Sequence, residues 1–190
     1  MTHTPLPPFV AFVAGRKIAA GSLRAAVLAA KHAADEGGTP LVCDTSTGRT
    51  VELDLRGTPD DVLARLQPAD PMATEPAAPR PRGRPRLGVV AREITLLPRH
   101  WDWLQTQPGG ASVALRKLVE TAQRAAAEPD RRRRAREAIY RFITTMAGDA
   151  PGYEAATRAL FAGDRAALKT AMAAWPADIA RRAWAMAEET

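Results

Sequence analysis

The sequence predicts an α+β protein in four parts: a small ββαββα domain over 1–67, a basic Pro-rich linker over 68–87, a strand-helix-helix centre over 88–128 and a helical bundle over 129–190. Three observations carry this reading. Strand-forming residues cluster before residue 56, around one stretch of helical periodicity. Six prolines (Pro68, Pro71, Pro76, Pro79, Pro81, Pro85) then exclude helix or central strand over the linker. Beyond Pro129, apolar residues recur at helical spacing between Gly and Pro breaks.

Phe9-Val-Ala-Phe-Val-Ala14 is a strand, turned at Gly15-Arg16, with Lys17-Ile18-Ala19 returning beside it. Ser22 is a good N-cap, and Leu23, Val27, Ala30 and Ala34 form the stripe of a helix that Gly37-Gly38 ends. Leu41–Asp44 and Val51–Leu55 read as a hairpin around Ser46-Thr47-Gly48, and Glu52 and Asp54 make one face of the second arm wet. Thr58-Pro59-Asp60-Asp61 opens a helix with Val62, Leu63 and Leu66 inward, stopped by Pro68.

In the centre, Val89–Pro98 is short and rich in strand formers. Pro98 suits the first turn of a short helix whose Trp101 and Leu104 face inward, and Pro108-Gly109-Gly110 forces a turn. Gly110 or Ser112 caps a longer helix bearing Leu115, Leu118, Val119 and Ala122. A single strand between helices has no partner within this part, and a second copy of the chain is the cheapest one, which predicts a homodimer through 89–97. In the bundle, Glu128-Pro129-Asp130 breaks and restarts the chain. Helices follow over about 131–147, around Tyr153–Leu160, after Asp164, and after Pro176.

The chain of 190 residues has a formal charge of +6, which makes an acidic partner such as nucleic acid plausible. Between Arg80 and Arg92 stand five arginines (Arg80, Arg82, Arg84, Arg86, Arg92) and no acid. Arg82-Gly83-Arg84-Pro85 resembles an AT-hook core. Gly83 lets the backbone lie against a narrow groove floor, the flanking arginines run along the minor groove, and the prolines hold the arm extended. The plain alternative is a solvated Arg/Pro-rich linker. A second cluster, Arg131–Arg134 with Arg136, opposes the helix macrodipole if it lies in a first turn, which costs a few tenths to about 1 kcal/mol per cation. Phosphates would offset that at Arg131 and Arg132; the ordinary alternative is a solvated charged face.

The order Leu97-Pro98, Trp101 and Leu104, then Ser112 with Ala114-Leu115-Arg116 resembles the ribbon-helix-helix family of dimeric bacterial repressors and antitoxins, over about 88–126. That resemblance implies an antiparallel ribbon in the major groove of double-stranded DNA, read by Arg92, Ile94 and Leu96, with Gly110, Ala111 and Ser112 presenting helix amides to a phosphate. Simple alternation instead places Ile94 and Leu96 inside and Glu93 and Thr95 outside. Either a bulge offsets the strand, or it pairs with something other than groove-bound DNA. Across the whole chain, Gly83–Trp101 (GRPRLGVVAREITLLPRHW) resembles a bacterial family known as a domain of unknown function (number 2239), which implies no activity.

The expected function is therefore a DNA-binding, dimeric transcriptional regulator. The alternative is an antitoxin-like protein-interaction module that dimerises without reading DNA. Enzymatic chemistry finds little support: His3, His32 and His100 are scattered, Cys43 sits in a strand, and no Cys/His spacing suits zinc. No catalytic residue, cofactor, metal or small-molecule ligand is expected. One cysteine allows no internal disulfide, and no apolar run is long enough to span a membrane, so a cytoplasmic setting is the expectation.

Overall fold

The computed structural model describes residues 5–66, 90 and 92–189. They build β1 (Phe9–Val13), β2 (Arg16–Gly21), α1 (Leu23–Asp35), β3 (Pro40–Asp44), α2 (Pro59–Leu66), α3 (Pro98–Gln105), α4 (Gly110–Ala147), α5 (Tyr153–Ala162), α6 (Arg165–Ala171) and α7 (Ala177–Glu188). The described residues form a mostly helical α/β structure with one three-stranded antiparallel sheet, ordered β2-β1-β3. The chain divides into two compact units, a larger one of Met1–Ala69 with Pro129–Thr190 and a central one of Asp70–Glu128.

In the larger unit β1 pairs with β2 through a two-residue turn, Ala14-Gly15, both at positive φ, the backbone twist that tight hairpins need. Ser22 caps α1, its Oγ accepting from the Ala25 N–H. The central strand β1 is buried on both faces. Val10 and Phe12 point with Cys43 into a core shared with Ile139, Phe142 and Ile143 of α4 and with α5–α7, where the rings of Phe12 and Phe142 meet at a tilt, 5.9 Å apart. Ala11 and Val42 point the other way, toward Ala26 and Ala30 of α1. This explains the unbroken apolar run of β1: a strand covered on both sides has no wet face to keep polar. The amino-terminal sheet and the carboxy-terminal helices therefore share one core.

Two sequence expectations change. The second arm of the 41–55 hairpin does not form a strand; one bridge, Cys43 to Thr50, is all that pairs there. Val51 donates to the Val42 carbonyl, but Pro40 offers no N–H further along β3 to continue the ladder. The side-chain alternation survives without the ladder: Val51, Leu53 and Leu55 pack on the α1 side while Glu52 and Asp54 stay exposed. The observed order is thus ββαβα rather than ββαββα. Second, the chain does not restart at Glu128-Pro129-Asp130, because α4 runs on through Pro129. That proline forgoes one helical hydrogen bond and crowds the carbonyl four residues back, an interior cost of about 3 kcal/mol.

From Tyr153 onward the expected punctuation is observed. Asp164 caps α6 by accepting from the Ala167 N–H at 2.9 Å, Pro176 precedes α7, and Leu168, Met172, Trp175, Ile179, Ala183 and Met186 are buried.

Candidate nucleic-acid interface

The central unit is described at Val90 and over 92–128. Arg92–Thr95 are exposed, and the segment from Arg92 to Leu97 is neither helical nor paired with another strand among the described residues. Leu97 has extended φ and ψ, and Pro98 follows as the first residue of α3, where its missing N–H costs nothing. α3 buries Leu104, half-buries Trp101 and leaves Trp103 exposed. Gly109 and Gly110 both adopt positive φ, making the turn into α4. Gly110 donates to the Gln107 carbonyl, so its own amide is committed to that turn. Ser112 lies exposed in the first turn of α4, and its carbonyl accepts from Arg116 Nε.

Among its described residues the unit buries little apolar surface. Leu104 and Ala114 are its buried apolar residues among those described. Ile94, Leu97, Trp103, Leu118 and Val119 are each about half exposed, and Val90 more so. Leu118 and Val119 belong to the apolar stripe that the spacing predicts for this helix; here these two stand about half exposed, while Leu115 is partly buried.

Arg80, Arg82, Gly83, Arg84 and Arg86, the AT-hook-like arm, lie outside the described residues. Arg131 and Arg132 are exposed on α4, more than five helical turns from its start. Their expected conflict with a helix N-terminus therefore disappears: the positive end of the macrodipole is at Gly110. Neighbouring charges are partly neutralised. Arg133 pairs with Asp130 at 3.0 Å and Glu137 at 3.5 Å, and Glu137 also receives Arg141 at 3.2 Å. The pairing with Asp130 and Glu137 raises the Arg133 guanidinium further above its already high value.

The fold brings together one group that spacing does not reveal. Arg132 and Arg136, one turn apart on α4, converge with Arg165 of α6 around a cleft of about 240 Å³. The i,i+4 half of this set is legible in the sequence; the third arginine is 29 residues beyond Arg136 and is placed only by helix packing. Among the described residues no three His, Cys, Asp or Glu side chains have a metal-holding arrangement, and no helix is long and apolar enough to cross a membrane.

No curated protein and no solved structure matches the chain. Residues 8–187 match the family model DUF2239, described as an uncharacterized protein conserved in bacteria, and at that coverage the chain belongs to this family.

Proposed function

We propose that this protein binds double-stranded DNA as a homodimer and acts as a transcriptional regulator. The observation that carries the reading is the apolar exposure of the central unit: Ile94, Leu97, Trp103, Leu118 and Val119 stand about half exposed, and the 92–97 backbone has no strand partner among the described residues. With so little apolar surface buried among its described residues, the unit gains most by covering these side chains with a symmetry-related copy. Two copies of 92–97 paired antiparallel would form a ribbon, and the arginine-rich sequence of 80–92 would lie beside it. Arg80, Arg82, Arg84 and Arg86 then enter the minor groove or follow phosphates, Arg92 meets the major groove, and Arg131 and Arg132 add backbone contacts. Ser112, at the start of α4, stays available to a phosphate, whereas the Gly110 amide would first have to leave the Gln107 carbonyl.

Fluorescence anisotropy with AT-rich and GC-rich duplexes across a salt series tests this. Binding is expected to weaken steeply with salt, with a log–log slope of about −0.9 per neutralised phosphate. Replacing Arg82 and Arg84 by Ala is expected to lower affinity for AT-rich duplex more than for GC-rich duplex. Absence of binding at low salt by a protein that light scattering shows to be dimeric favours the alternative, a protein-interaction module that dimerises without DNA.

A further inference from the structure

We infer that the cleft between α4, α5, α6 and α7 in the larger unit is a binding site for a small amphiphilic anion, one charged head on a short apolar tail. Its floor is aliphatic: Ile139 of α4, Leu160 of α5 and Leu168 of α6. Its rim carries Arg132, Arg136 and Arg165, and Asp164 is the one carboxylate among the lining residues. That carboxylate is already engaged, Oδ1 accepting from the Ala167 N–H at 2.9 Å. Arg165 gives one nitrogen to the Ala187 carbonyl at 2.8 Å and keeps the rest of its five-donor fork. Arg136 is half-buried and makes no hydrogen bond or ion pair among the described residues. A guanidinium drawn partly out of water without a partner is the group that gains most from an arriving anion, and its planar fork matches a carboxylate or phosphate edge.

Size and lining set the ligand class. At roughly 30 Å³ per water-sized group the cleft of about 240 Å³ holds about eight such groups, the bulk of a six-carbon acid. Inorganic phosphate alone would leave the aliphatic floor uncovered, and a neutral alcohol would leave the guanidinium groups unmatched. Two other hollows on the larger unit, one over Gly48–Glu52 and one over Gly148–Arg158, lack this aliphatic floor. The inference stands on the larger unit alone and does not depend on how the central unit acts.

The test uses the full-length protein with hexanoate, hexyl phosphate, hexanol and inorganic phosphate, read by thermal shift and titration calorimetry. At least one of the two amphiphilic anions is expected to bind, and to raise the Tm by about 5 °C or more at a hundredfold excess over its Kd. Hexanol and inorganic phosphate are expected to bind at least about tenfold more weakly, and Arg136→Ala to lower affinity for the amphiphile about tenfold, the usual scale for a charge-assisted hydrogen bond. In the unaltered protein, methyl resonances of Ile139, Leu160 and Leu168 are expected to shift on adding the amphiphile, a readout that needs no variant to fold. No shift of these methyls with either amphiphile, equal binding of inorganic phosphate, or undiminished binding by a folded Arg136→Ala protein each overturns the inference.

Discussion

Arg181 and Arg182 are adjacent and identical, yet they have different fates. Arg181 is exposed and pairs with Asp178 one turn back, at 3.2 Å. Arg182 is 9% exposed, donating to the Pro7 carbonyl at 2.8 Å and to the Thr45 hydroxyl, so it ties α7 to the start of the chain and to the end of β3. Burial pulls its guanidinium below the usual value, while Glu189 and Cys43 act to raise it. Arg182→Met should cost about 1–3 kcal/mol in urea denaturation, because the Pro7 carbonyl and Thr45 hydroxyl lose a buried donor. Helical spacing puts Arg182 on the inward side with Ile179, Ala183 and Met186 and Arg181 off it; what the local sequence does not show is that Arg182 finds its partners more than a hundred residues away. Cys43, which the sequence places in a strand, is free and 2% exposed. Burial pushes its thiol from an ordinary 9.0 up to about 11, against a smaller pull from Arg182. Because the folded value lies above the unfolded one, its contribution is complete below about pH 9 and is lost as pH rises through 11. Stability should therefore fall by roughly 2–3 kcal/mol over that window, and Cys43→Ala should remove that component when unfolding is followed at pH 8 and pH 11.

The turn after β3 shows how an element is seated by a single missing side chain. Asp44 Oδ1 accepts from the Ser46 N–H and hydroxyl, each at 2.7 Å; although partial burial opposes it, these bonds hold the carboxyl below its usual range. Gly48 follows at φ +67°, where a Cβ would stand 1.8 Å from the Ala138 carbonyl oxygen of α4. Arg141 of the same helix donates to the Thr47 carbonyl at 3.1 Å, so the turn lies flat on α4. Gly48→Ala should destabilise by about 2–4 kcal/mol in thermal or denaturant unfolding, combining a left-handed backbone with overpacking. The turn was legible from Ser46-Thr47-Gly48; its contact with a helix some 90 residues later was not. The same limit applies to Val51–Leu55, whose alternation correctly divides inward from outward residues. Alternation fixes which side chains are covered, and the ladder needs donors that Pro40 does not supply. Pro129 misleads in the opposite direction. A proline ordinarily ends a helix, but good helix formers stand on both sides of it (Ala125, Ala126 and Ala127 before, arginines after), and α4 continues.

At the scale of the molecule, the helices and turns that depend on neighbouring residues were readable, including the Ser22 and Asp164 caps and the Pro98 start. What joins them was less so, because the shared core unites β1 and β3 with α4–α7 across the whole central stretch. For the central unit, the self-association reading makes a direct prediction. Replacing Leu118 and Val119 together by Asp should shift the light-scattering mass from near twice the chain mass to that of one chain. It should leave the far-ultraviolet circular dichroism of the larger unit in place, since neither residue belongs to its core. A monomeric mass for the unaltered protein at micromolar concentration would remove the dimer from the proposal. The divided core has a further consequence, for the order of events during synthesis. Val10 and Phe12 leave the ribosome well over a hundred residues ahead of Ile139, Ile179 and Ala183, the groups that must cover them. Contacts so distant along the chain close late and slowly. Until α4 and α7 have been made, the nascent amino-terminal sheet carries a naked greasy face, the kind of surface chaperones shield.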